Sequence, residues 1–160
     1  MIRLTLAALV SSSMVGLGAA PAQAACSTCS CSVTVTTLSF GTYDAAAASP
    51  RDSTGGVTLQ CSSPSTISST FDITLSTGGS GSYTTRQMAK GADRLNYNVY
   101  ADAARTQLWG NGSNGTFLMR ATVSGTTFFT ANATAYGRIP TGQWNPAGTY
   151  SDTLVVTVTY

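Results

Sequence analysis

Three cysteines fall within six residues, Cys26, Cys29 and Cys31, and a fourth, Cys61, follows thirty residues after the last of them. Thiols at this density can hold a metal, exchange disulfides or staple a fold. Zinc is the first chemistry that C-x-x-C suggests, but a closed tetrahedral site needs two further ligands. The chain has no histidine and no second C-x-x-C. A thioredoxin-like pair sits at a helix start within a βαβ pattern, and the residues around Cys26 show no such pattern. The structural reading is left. Cysteines in an oxidising compartment pair, and four allow three connectivities. Cys31 opens one alternating run and Cys61 ends another, GVTLQC. A bridge between neighbouring strands therefore pairs Cys31 with Cys61 and leaves Cys26 to Cys29.

The compartment is read from the first residues, MIRLTLAALVSSSMVGLGAAPAQA. One early positive charge, Arg3, precedes an apolar segment from Leu4 to Val15 and small residues ending in Ala22-Gln23-Ala24. That is the pattern of a cleaved secretory leader. The uninterrupted apolar run is shorter than the roughly 20 residues a spanning helix needs. Residues 1–24 are thus expected to be a signal peptide, cleaved after Ala24, with residues 25–160 forming one exported domain.

Composition narrows the function. Charged residues are 9 % of the chain and the formal net charge is +2. Without Arg3 the basic residues fall to 8 − 1 = 7 against 6 acidic ones. No basic patch is dense enough to hold nucleic acid. Catalysis finds little to work with. A histidine base for a nucleophile is absent, as is a G-x-S-x-G elbow. The acidic residues are six aspartates and no glutamate, and Asp93, Asp102 and Asp152 read as turn and strand-end residues. Gly-rich STGGSGS and WGNGSNG lack the lysine of a phosphate loop. No enzyme, cofactor or metal is expected. Trp109 and Trp144, both in loops, are the residues on which a sugar ring would stack; in a sandwich of this size such residues also cap an open end of the core. Asn111, Asn114 and Asn132 head glycosylation sequons by pattern alone.

The elements that must position these residues are strands. Alternation at period two recurs along the chain. CSVTVTTLSF places Val33, Val35, Leu38 and Phe40 inward; GVTLQC places Val57, Leu59 and Cys61; FDITLSTG places Phe71, Ile73 and Leu75. LNYNVYAD offers Leu95, Tyr97 and Val99, and YSDTLVVTVTY offers Leu154, Val156, Val158 and Tyr160. TFLMRATVSG and ATAYGRIP alternate less cleanly. TGGV, SSPSTISS, STGGSGS, WGNGSNG and PTGQWNPAG read as turns. Short strands without an amphipathic helix predict an all-β sandwich.

Three stretches carry a resemblance: CSVTVTTLSFGTYD, RLNYNVYADAARTQLWGNG and AYGRIPTGQWNPAGTYSDTLVVTVTY. Together they resemble the spore coat protein U domain, shared with the Csu-type pilins of archaic chaperone–usher systems. The resemblance implies an immunoglobulin-like β-sandwich that lacks its last strand, and it implies the Cys31–Cys61 pairing as well. It also implies a groove filled first by a periplasmic chaperone and then, at an outer-membrane usher, by the N-terminal extension of a neighbouring pilin subunit. Leu154, Val156 and Val158 would line one side of that acceptor groove, and Val33 and Val35 the other. The chain would then be a structural subunit of a surface fimbrium serving adhesion and biofilm formation. Between Ala24 and Cys31 the chain offers only ACSTCS, without the alternating large apolar residues of a donor strand. Such a subunit accepts a strand and donates none, as at a fibre tip, where it would meet a host or abiotic surface. The alternatives are a self-complete spore-coat or extracellular-matrix protein, and a carbohydrate-binding tip adhesin using Trp109 and Trp144.

Overall fold

The computed structural model describes residues 26 and 28–160, together with the backbone course of residues 2–10. The expected cleavage site, Ala22 to Ala24, lies outside the described residues. Eight strands account for the architecture: β1 (Ile2–Val10), β2 (Ser30–Val35), β3 (Leu38–Gly41), β4 (Arg51–Leu75), β5 (Arg86–Lys90), β6 (Asp93–Tyr100), β7 (Met119–Ile139) and β8 (Ser151–Thr159). Hydrogen bonding runs in the order β2-β4-β7-β6-β5-β8-β1-β3, and a further β4–β8 pairing closes the strands around one core. The expected all-β sandwich is what the chain forms.

Period-two alternation decides what is inside. Val57, Leu59, Cys61, Phe71, Ile73 and Leu75 of β4 are buried, as are Leu95, Tyr97 and Val99 of β6 and Leu154, Val156 and Val158 of β8. Their intervening neighbours are half-buried or exposed.

Two turn signals resolve differently. TGGV lies inside β4, where Thr54 to Val57 pair with Tyr136 to Ala133 of β7. SSPSTISS is not a loop between strands but an irregularity within β4, with the register to β7 shifting between Ser62 and Ile67. Ile67 decides the matter: it is buried and draws the chain back to the core. Residues 51–62 pair with one half of β7 and residues 67–73 with the other, so both long strands pass between the two layers at this point. Strands that switch sheets do so at such breaks. TFLMRATVSG and ATAYGRIP are accordingly parts of one strand, β7.

The glycine of YGRIP has a packing reason. A Cβ on Gly137 would sit 2.6 Å from Leu38 Cδ2 and 2.7 Å from Phe40 Cζ. Only a bare backbone lets β3 lie this close over β7.

A surface ion pair joins the layers' edge. Arg138 donates to both carboxylate oxygens of Asp52, at 2.8 Å each, and Arg105 stands 3.3 Å away. The Arg138 hydrogen bond is the chief cause holding Asp52 below its ordinary value, against a smaller opposing effect of burial. A carboxylate depressed in the folded state stabilises at neutral pH, and that stability is lost as pH falls through its folded value. Asp52→Asn should cost only about 0.5 kcal/mol at pH 7, because the pair is partly solvent-screened. The difference from the unaltered chain should shrink below about pH 4, read by urea unfolding across the acid range.

Candidate functional site: a strand slot between β8 and β3

The feature that departs from a closed sandwich is how β8 and β3 are joined. Among the described residues they are joined through β1. Residues 3–10 pair in parallel with β8, from Arg3 opposite Ser151 to Val10 opposite Val158. On its other side β1 pairs antiparallel with β3, with Ile2 opposite Gly41 and Leu4 opposite Leu38. Setting β1 aside leaves a strand-wide slot, floored by core side chains and flanked by backbone groups that want partners.

One wall of the slot, β8, is held firmly. Asp152 near its start accepts the Tyr97 hydroxyl at 2.6 Å and the Gly79 amide at 2.9 Å. Val155 donates its amide to Ser76 Oγ at 2.9 Å, while the Ser76 amide donates to the Val155 carbonyl. Leu154, Val156 and Val158 point into the core and are fully buried. The other wall, β3, is tied by side chains of β4: Arg51 Nε donates to the Phe40 carbonyl at 2.7 Å and Ser53 Oγ to the Ser39 carbonyl at 2.6 Å. Leu38 and Phe40 supply its core face.

The residues expected on the groove thus fall in two places. Leu154, Val156 and Val158 lie on the wall itself. Val33 and Val35 lie on β2, half-buried and directly opposite Leu59 and Val57 of β4. The strand that hydrogen-bonds across the slot is β3, which begins three residues after β2 ends.

Burial beside β8 shifts the Tyr97 hydroxyl strongly upward, and its hydrogen bond to Asp152 adds to this. A phenol whose folded value is raised keeps its proton while the unfolded chain loses it, so stability falls as pH rises above about 10. Tyr97→Phe should flatten that alkaline loss, measured as the difference in urea midpoint between pH 8 and pH 10.5. An unchanged slope in the variant contradicts the assignment.

An unforeseen brace sits behind β8. Arg86 is 0 % exposed. Its guanidinium donates to the Ser76 carbonyl at 2.7 Å, to the Trp109 carbonyl at 2.7 Å and to Asn98 Oδ1 at 3.5 Å. Burial lowers its pKa, partly offset by Tyr97, Tyr83 and Asp152 nearby. A signal was present in TTRQMAK: Arg86 occupies the inward parity of Met88, an unusual place for a charge.

The cysteines are staples. Cys31 and Cys61, directly opposite in the β2–β4 ladder, are disulfide-bonded. Cys26 and Cys29 form the second disulfide, closing a turn in which the Cys29 amide donates to the Cys26 carbonyl at 3.2 Å. Thr28 Oγ1 and Ser63 Oγ lie 2.9 Å apart, which holds this turn against the irregularity of β4.

The loop tryptophans part company. Trp109 is 0 % exposed, and its indole N–H donates to the Ile73 carbonyl at 3.1 Å. A sugar cannot stack on it; it caps the core, and the ligand-stacking expectation is corrected there. Trp144 is 79 % exposed. Beside it lies an open depression of about 310 Å³, lined by Tyr43, Leu95, Pro146 and Tyr150 among others. Its two tyrosine hydroxyls donate to loop carbonyls, Tyr43 to Pro140 and Tyr150 to Pro146. The aspartates are likewise engaged. Asp102 accepts from the amides of Thr106 and Gln107 in a turn, and Asp93 pairs with Lys90.

A disulfide-stapled, immunoglobulin-like sandwich with a strand slot beside its final strand is a pilin-like architecture. The chain belongs to the spore coat protein U domain family, whose model matches residues 18–157. It is 36 % identical to Protein U of Myxococcus xanthus over 137 residues, which cover 78 % of this chain and 72 % of that protein. Among solved structures it is similar to a chain of the chaperone–tip adhesion subunit pre-assembly complex from the archaic chaperone–usher Csu pili of Acinetobacter baumannii. That match has a TM-score of 0.56 and 24 % identity. It covers 82 % of this chain and 40 % of the other, so this chain spans two-fifths of its neighbour's length. The likeness is one of fold.

Proposed function

We propose that this chain is a structural subunit of a surface pilus, assembled by a chaperone–usher route, whose working surface is the slot between β8 and β3. The single observation that carries the reading is the pairing of β8 and β3 to an inserted strand and not to each other. A slot of this kind is costly when empty, since each buried backbone group left unpaired costs about 1–3 kcal/mol and an open edge invites aggregation. Strand addition from a partner resolves both, with main-chain hydrogen bonds for affinity and alternate side chains for register. A periplasmic chaperone would fill the slot first, and the extension of a neighbouring subunit would replace it at the outer-membrane usher. The exported chain would pass through the periplasm and end at the cell surface. The surface that works is one of association, without catalysis or cofactor.

The segment before β2 supports a terminal place in the fibre. A donor strand must be extended and carry large apolar residues at alternate positions. Here Cys26 and Cys29 curl the chain into a disulfide-closed turn, docked on Ser63 through Thr28. Such a subunit accepts a strand and gives none.

Co-expression tests the reading. Exported to an oxidising periplasm with a cognate pilus chaperone, the chain should be recovered as a one-to-one complex, and without the chaperone it should aggregate. Recovery as a chaperone-independent monomer sinks the reading and favours a coat or matrix protein that completes its own sandwich.

A further inference from the structure

The strand in the slot belongs to this chain. Residues 3–10 keep an unbroken parallel register with β8, in which Leu4, Leu6, Ala8 and Val10 stand opposite Asp152, Leu154, Val156 and Val158. Paired positions in a ladder share a face of the sheet, and the last three of those β8 residues face the core. The period-two series 4-6-8-10 is apolar throughout, while the intervening series holds Arg3, Thr5, Ala7 and Leu9. An export leader needs only a run of apolar residues. Alternation placed in register with the core-facing residues of β8 is the further demand of a strand. The donor-like pattern missing from ACSTCS is present upstream, at residues 4–10.

We propose that residues 2–10 are a built-in occupant of the slot. While attached, they complete the sandwich in cis; their removal opens the slot to a strand from another chain, a second half that rests on the acceptor reading above. The switch is hydrolysis of the Ala24–Ala25 peptide bond by a signal peptidase, water adding across it to leave a carboxylate on Ala24 and a new amino terminus at Ala25. Once the link is cut, β1 is held by the slot alone and an outside strand competes with it on equal terms.

The test uses the full chain, residues 1–160, refolded under oxidising conditions without signal peptidase. Three forms are compared by hydrogen exchange: the unaltered chain, Leu6→Asp with Ala8→Asp, and Thr5→Asp with Ala7→Asp. The amides of β8 should exchange about tenfold or more faster in the Leu6/Ala8 variant than in the unaltered chain, with the Thr5/Ala7 variant close to unaltered. Protection along the β4–β7 ladder reports whether the domain remains folded. A labelled peptide of sequence IRLTLAALV should bind the Leu6/Ala8 variant and not the unaltered chain. Equal β8 exchange in all three forms, or equal loss in both variants, overturns the proposal. Should the Leu6/Ala8 variant lose the β4–β7 ladder while the Thr5/Ala7 variant keeps it, the proposal is supported, because positions 6 and 8 alone then complete the fold. If β8 opens but no peptide binds, cis occupancy stands and the acceptor reading falls.

Discussion

Trp109→Ala is expected to lower the unfolding free energy by about 3–5 kcal/mol, the usual cost of deleting a large aromatic from a packed core. Total stability for a domain of this kind is about 5–15 kcal/mol, so this one loop residue controls a large share. The reason is its double attachment. Its ring is wholly buried and its indole N–H donates to the Ile73 carbonyl at 3.1 Å, and both are lost in the alanine variant. Trp109→Phe keeps most of the volume and removes only the indole donor to the Ile73 carbonyl, for about 1–3 kcal/mol. Urea unfolding of the full chain reads both. A loss below about 1 kcal/mol for the alanine variant would mean that the loop from Trp109 to Phe117 does not cap the core.

The second large effect is on the staple between β2 and β4. Replacing Cys31 and Cys61 together by serine should cost about 3–4 kcal/mol, since the bridge closes a loop of some thirty residues in the unfolded chain. The same double replacement at Cys26 and Cys29, three residues apart, should cost about 2 kcal/mol or less by the same loop-closure reasoning. The contrast matters more than either value. Loss of Cys31–Cys61 also frees β2, an edge strand whose ladder partner among the described residues is β4, so its amides should lose exchange protection before those of the β4–β7 ladder. Equal costs for the two pairs would contradict the assignment of one as structural staple and the other as terminal clip.

Much of the fold was legible because alternation reports facing. Val57, Leu59 and Cys61, or Leu154, Val156 and Val158, announce an inward parity whatever strand lies beside them, and those residues are core. Alternation does not report neighbours. Val33 and Val35 fall on odd positions and Leu38 and Phe40 on even ones, because the chain shifts its parity across Thr36 and Thr37. The first pair goes to β2 beside β4, and the second to β3 beside the slot. The glycine at position 137 is the trace of that crossing, visible in sequence only as a permissive residue in YGRIP. Local composition misled at SSPSTISS, where one isoleucine among serines and a proline outweighs the turn signal because burying Ile67 is favourable by roughly 1.5–3 kcal/mol.

The site was less legible than the fold. The β8 wall followed from three aliphatic residues, but Arg86 carries no local motif and is found only by asking why a charge keeps the parity of Met88. Trp109 reads as a loop residue because WGNGSNG is rich in turn formers, and the ring's direction is decided by the long-range contact with Ile73. The strand pattern of residues 2–10 was hidden for another reason. Apolar leader composition is sufficient explanation of that segment by itself, and its alternation gains meaning only once β8 lies alongside.

Whether the slot accepts a strand is tested by supplying one after Tyr160. A form lacking residues 1–24 would carry, after Tyr160, a short turn and nine residues with apolar side chains at alternate positions. A strand returning from β8 in this way lies beside it, in the slot between β8 and β3. This fusion is expected to be a monomer with a cooperative thermal transition, whereas the same form with no added strand, or with aspartate at the alternate positions, aggregates. A form lacking residues 1–24 that is already a cooperative monomer, and gains nothing from the added strand, would contradict it.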